Sequence, residues 1–198
     1  MWNDRFSGPD YLFGKEPAAF IIDHAAYLKA GAKGLAVADG EGRNSVFMAQ
    51  QGVETVAMDA SANALDKARA LAKDRGVSVD FHEASIHDWA WEPEAFDLVV
   101  AIFIQFLSPA ERIKVFKGMV TTLKPGGHLL LHGYTPKQLE YGTGGPSARE
   151  LLYTEELLRD LFDGLELVEL RSYEREINEG KGHAGMSALI DLVARKPG

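Results

Sequence analysis

Between Gly34 and Tyr134 the sequence alternates short apolar runs with stretches of helical period. That alternation narrows the fold more than any other feature of the chain. Gly34–Asp39, Val53–Asp59, Val77–His82, Phe96–Phe103 and His128–Tyr134 read as strands. Helices are expected between them. One runs over Asn44–Gly52. A second starts at the Ser61 cap and places Ala64, Leu65, Ala68, Leu71 and Ala72 on one face. A third starts at Ser108, where Pro109 and Glu111 complete a capping signature, and stops at Pro125-Gly126-Gly127. Strands joined through helices pair in parallel, and a parallel sheet needs cover on both faces. Two last strands, Leu165–Tyr173 and Met186–Arg195, have only the connection 174–185 between them, so they form an antiparallel edge pair. The expected architecture is one doubly wound α/β domain. Outside the alternation lie an aromatic arm, residues 1–19, a helix over Phe20–Ala30 and a glycine-rich loop, residues 134–153.

Composition removes several function classes. The 198 residues contain no cysteine, which excludes disulfides, thiolate metal sites and a thiol nucleophile. Lys plus Arg is 21 against 29 for Asp plus Glu, a net charge of −8, which disfavours nucleic acid as a partner. No apolar run reaches the roughly 20 residues of a membrane span. Met1-Trp2-Asn3-Asp4-Arg5 lacks the basic-then-apolar order of a secretion signal. The expectation is a cytoplasmic monomer or homodimer with a small-molecule partner, no membrane and no metal.

The first strand runs into Ala38-Asp39-Gly40-Glu41-Gly42-Arg43-Asn44. Two glycines there permit a tight turn, and the next helix presents unpaired N–H groups. Asp59 closes the second strand, where a carboxylate can accept both hydroxyls of a ribose. Strand, turn, helix and Asp59 together point to nucleoside binding. Ser45 stands where a G-x-G-x-x-G fingerprint needs its third glycine, and Glu41 would repel a diphosphate.

The two-glycine turn, Asp59, Phe96-Asp97-Leu98-Val99-Val100 and Leu123-Lys124-Pro125-Gly126-Gly127 resemble successive motifs of class I S-adenosylmethionine-dependent methyltransferases. Arg43-Asn44 and the arm Tyr11–Pro17 resemble the bacterial tellurite-resistance and thiol methyltransferase branch. The resemblance implies a Rossmann-like, mostly parallel seven-stranded sheet with a C-terminal antiparallel pair. It implies S-adenosylmethionine as cofactor, S-adenosylhomocysteine as product and a small acceptor, a thiol or chalcogen species in that branch. It assigns Asp39, Gly40, Glu41 and Gly42 to the methionine end, Asp59 to the ribose, and Ala60, Ser85 and Ile86 to the adenine, with Arg43 also among the cofactor-binding residues. Ala101, Ile102 and Gln105 would face the sulfonium and the acceptor, with Tyr11 and Gly14 of the arm above. Ala36, Ala38 and Ser85 depart from the family's usual residues. Tyr134 and His183 are the catalytic candidates, with His132 and Tyr141 nearby, although each also has an ordinary structural reading. A nicotinamide-dependent oxidoreductase and a catalytically silent cofactor-binding protein stay open as alternatives.

Overall fold

The structure, a computed structural model, describes residues 2–198. Its strands are β1 (Lys33–Val37), β2 (Glu54–Asp59), β3 (Asp80–Glu83), β4 (Phe96–Ile102), β5 (Leu123–Tyr134), β6 (Glu166–Asn178) and β7 (Ala184–Arg195). Its helices are α1 (Trp2–Arg5), α2 (Ala19–Asp23), α3 (Arg43–Gln50), α4 (Ala62–Asp74), α5 (Pro109–Thr122), α6 (Gln138–Tyr141) and α7 (Glu155–Leu161). The strands form one sheet in the order β3-β2-β1-β4-β5-β7-β6. The first five are parallel, and β7 runs antiparallel between β5 and β6. The order reverses between β1 and β4, which is where ligands settle in open α/β sheets.

Local chemistry sets the helix starts. Ser61 Oγ accepts from the Ala64 N–H, Thr154 Oγ1 accepts from the Leu157 N–H, and Ser108 with Glu111 forms a full capping box. The two sheet faces are buried separately. Leu35, Val37, Val99, Leu129 and Leu131 pack with Phe116, Met119 and Leu158 of α5 and α7. Ala36, Leu98, Val100, Leu130 and Val193 pack with Phe20, Ile21 and Met48 of α2 and α3.

Three sequence expectations change. The helix expected over Phe20–Ala30 ends at Asp23, followed by a single 3-10 turn at Ala25–Tyr27. His24 stops it: backbone N–H and ring Nδ1–H both turn back to the Phe20 carbonyl, the latter at 2.7 Å. The third strand begins at Asp80 because the Val77 N–H still closes α4 on the Ala72 carbonyl. The connection 174–185 is largely strand, since Glu174–Asn178 pairs with Ala184–Ala188 and leaves a turn of 179–183. β6 is a sheet edge with a solvated face, so its polar run hid the strand. Among the described residues, no helix is long and apolar enough to cross a membrane.

Candidate active site

Ala38 after β1 and Phe103 after β4 hold positive φ, 48° and 57°, one on each side of the reversal point. A non-glycine residue in that region is strained, and such strain gathers at binding and catalytic sites. Between β1 and α3 the chain turns through Gly40 and Gly42 (φ 62° and 87°). A Cβ on Gly42 would lie 2.6 Å from that of Ala68, so glycine lets α4 approach the turn.

Two carboxylates meet at this turn. Asp59 accepts the Gly40 N–H at 2.8 Å on one oxygen and the Ser61 N–H at 2.9 Å on the other. Each oxygen keeps a second lone pair. Asp39 accepts the N–H and the hydroxyl of Ser45, so the residue in the third-glycine position is a hydrogen-bond donor. Desolvation pushes the Asp39 carboxyl up to about 7; the Ser45 bonds oppose this, and Asp59 adds to it. Burial also raises Asp59. Arg43 pulls Asp39 the other way but is spent on Glu179 at 2.8 Å, an almost solvent-free ion pair. Its Nη1 has no hydrogen-bond partner. A pocket of about 20 Å³, lined by Ala36, Val37, Ala38, Asp39, Asn44, Val100 and Ile102, opens beside Asp39.

The arm crosses this cleft. Asn3 accepts from the Ser61 hydroxyl at 2.8 Å, and the Phe6 ring lies against Gly40. Trp2 stacks on Phe6 and meets Phe106; Phe6 meets Phe13. Phe13 stacks on His183, which stacks in turn on Phe103. The Tyr134 hydroxyl and His183 Nδ1 share a hydrogen bond at 2.5 Å. Desolvation, with Arg43 nearby, lowers the His183 pKa to about 3, and burial raises Tyr134. Both catalytic candidates are therefore uncharged, buried and joined to each other.

Several expected site residues face elsewhere. Glu41 accepts the Leu12 N–H and pairs with Lys67, both at 2.8 Å, so it anchors the arm. Tyr11 donates to the Lys67 carbonyl on α4. Ala101 is in the core on the opposite sheet face. Gln105 bonds the backbone of Tyr134 and Leu151. Tyr141 lies on the exterior, bonded to Glu174. Gly14 abuts Gly180, Ala60 is exposed, Ser85 is half-buried, and Ile86 is buried beyond β3. Ile102 keeps its place on the α2–α3 face.

Phe13, Phe103, Glu179 and Asp191 were missed from sequence. Gly180 and Gly182 carried a signal for the first: a Cβ on Gly180 would lie 2.5 Å from the Phe13 backbone, so the turn and the arm must touch. His24, Glu169 and Asp191 bring potential metal ligands within 4.8 Å of one another. Arg171 already reaches both carboxylates there, Nε to Glu169 at 2.8 Å and Nη2 to Asp191 at 3.1 Å, so a guanidinium supplies the cation.

The family model for a methyltransferase domain matches residues 35–127. Two curated relatives are ubiquinone biosynthesis O-methyltransferases. That of Xanthomonas euvesicatoria pv. vesicatoria (strain 85-10) is 34% identical over 103 residues, covering 52% of this chain and 43% of the relative. That of Xanthomonas axonopodis pv. citri (strain 306) is 33% identical over 131 residues, covering 66% and 54%. The chain thus spans about half the length of the curated relatives it matches. Among solved structures, N-methyltransferase NodS from Bradyrhizobium japonicum WM9, in complex with S-adenosylhomocysteine, superposes with a TM-score of 0.73 at 18% identity, covering 100% of this chain and 97% of that one. TehB from Haemophilus influenzae gives 0.71 at 20% identity, covering 89% and 61%. Residues 35–127 thus match a methyltransferase domain, and the strand order with its reversal at β1 and β4 belongs to the fold that the chain shares with these solved methyltransferases.

Proposed function

We propose that this protein transfers a methyl group from S-adenosylmethionine to a hydroxyl of a small aromatic molecule. The observation that carries the cofactor is the pair Asp39 and Asp59, two desolvated carboxylates at one turn, with the nearby Arg43 paired to Glu179. Such a cleft suits a cationic nucleoside and repels the diphosphate of a nicotinamide dinucleotide. Asp39 would take the ammonium of the methionine end and Asp59 the ribose hydroxyls. Gly40 lets the cofactor approach the backbone there. S-adenosylmethionine supplies an already activated methyl group, so holding the acceptor in line is the protein's main task.

Phe13, Phe103 and Tyr134 gather around His183 at the acceptor side and would stack an aromatic ring. The curated relatives, named as O-methyltransferases, favour hydroxyl oxygen over the thiol or chalcogen acceptor of the tellurite-resistance branch. As it lies, Phe6 covers Gly40, so the arm must move for the cofactor to enter. Labelled methyl transfer to a panel of catechols, thiols, selenite and tellurite tests the reading. Labelled catechol ethers are expected. Product from thiols or tellurite alone would overturn the hydroxyl assignment, and no product from any acceptor would favour a silent cofactor-binding protein.

A further inference from the structure

His132 and Asp191 form a buried pair that cofactor binding does not call for. His132 lies on β5, and its Nδ1 is 2.7 Å from Asp191 Oδ1 on β7. The two side chains are 3% and 1% exposed, so this is a dry hydrogen bond. Burial works to raise the Asp191 carboxyl, but hydrogen bonds from His132, Arg171 and Tyr173 hold it below the usual carboxylate range. An ionised carboxylate only accepts. Nδ1 therefore carries a hydrogen, and in the neutral imidazole Nε2 is the nitrogen with the lone pair.

The direction of that lone pair follows from the sheet. β5 lies between β4 and β7, and Nδ1 is turned to β7. Nε2 is left for the β4 side, where Ile102 is the register neighbour of His132 and Phe103 follows. Ile102 also lines the pocket beside Asp39. Asp39 and His132 thus stand two strand spacings apart, about 10 Å, at the same end of the sheet. Phe20 stacks on the His132 ring at 4.7 Å, and Phe103 meets it edge-on at 4.8 Å. His183, on the other side of Phe103, shares a hydrogen bond at 2.5 Å between its Nδ1 and the Tyr134 hydroxyl, a group that can donate or accept. Of the two histidines touching Phe103, His132 is the one held by a carboxylate.

We propose that His132 is a catalytic residue whose Nε2 takes the proton of the aromatic hydroxyl acceptor, and that Asp191 is its positioning residue. This rests on the hydroxyl-methylation reading above. The acceptor's O–H bond breaks and its proton goes to Nε2. The acceptor oxygen gains the methyl group, and the sulfur that loses it keeps the electron pair of the broken bond. The positive charge passes to the imidazolium, next to Asp191. The other groups around His132 are Arg171, Glu169 and Tyr173 from β6, His24 at the end of α2, and His183 from the turn between β6 and β7.

Two measurements test it. Nitrogen-15 NMR of histidine-labelled wild-type protein with S-adenosylhomocysteine should show His132 protonated on Nδ1 with Nε2 bare. A hydrogen on His132 Nε2 would overturn the proposal without any variant. Kinetics then compare catechol with 4-nitrocatechol at about pH 8, where the nitro compound is already ionised. His132→Gln should lower kcat on catechol by roughly 100- to 1,000-fold, the usual worth of a general base, with a far smaller loss on 4-nitrocatechol and unchanged S-adenosylhomocysteine affinity. Asp191→Asn should show the same selectivity with a smaller loss. Equal losses on both catechols would leave methyl transfer standing and overturn the base. A wild type that methylates neither catechol overturns the hydroxyl reading, and the base falls with it.

Discussion

At Asp39 desolvation raises the carboxyl to about 7 while the Ser45 hydrogen bonds oppose it. The consequence for stability has a definite sign. Between the ordinary carboxylate range and about pH 7 the folded chain holds a proton that the unfolded chain has released. The ligand-free fold therefore loses stability as pH rises through that window. The ammonium proposed to sit on Asp39 would reverse the preference, since it needs the carboxyl ionised. Affinity for S-adenosylhomocysteine should fall as pH drops below about 7, and Asp39→Asn should flatten that dependence. At about pH 8 the same variant should bind at least tenfold more weakly, ~1.4 kcal/mol, yet melt at a higher temperature without ligand. Calorimetry across pH, with thermal melts, checks both. Asp59→Ala removes the carboxylate proposed for the ribose and should cost about 1.5–3 kcal/mol in affinity, the worth of a hydrogen bond to a charged group. Unchanged affinity would put the ribose elsewhere.

At the next scale, the turn 179–183 and the arm act as one unit. Glu179 holds Arg43, accepts the Ala19 N–H at 3.0 Å, and sits one residue before the glycine packed on Phe13. Removing one partner of a buried ion pair strands the other, so Glu179→Ala should destabilise the fold by about 3–5 kcal/mol in denaturant titration. Gly180→Ala should loosen the arm without that loss, because it adds a methyl group at positive φ against the Phe13 backbone. Faster hydrogen exchange at the Gly182 N–H, which bonds the Leu12 carbonyl, would report it. These elements also divide what was legible in the sequence from what was not. The βα alternation and the Ser61 and Ser108 caps are local signals, and the fold followed from them. The turn at which Asp39, Gly40 and Asp59 meet was legible for the same reason, because it lies directly at the strand ends. The contacts of Glu41 and Gln105 were not legible because their partners lie on the arm, on α4 and on the segments after β4. The His132–Asp191 pair joins positions 59 residues apart, and only the antiparallel register of β5 and β7 brings them together. β6 was cut short because a solvated edge strand need not be apolar.

At the scale of the molecule, the sheet reversal makes one cleft and the arm lies across it. The acidic turn sits at the β1–β4 crevice, the aromatic cluster stands beside it, and the His132 pair lies on the same sheet face as Ile102. Phe6 covers Gly40, so Phe6→Ala should speed S-adenosylhomocysteine association in stopped-flow measurements; an unchanged rate would mean the arm does not gate entry. The −8 charge gains a local meaning, because Asp39 and Asp59 concentrate acid where a sulfonium compound would bind. The most direct measurement is titration calorimetry of the intact chain with S-adenosylhomocysteine and, separately, with oxidised and reduced nicotinamide dinucleotides. Saturable one-to-one binding of S-adenosylhomocysteine, weakened by Asp59→Ala, with no heat from the dinucleotides, is the expected result. Binding of a dinucleotide without S-adenosylhomocysteine would contradict it.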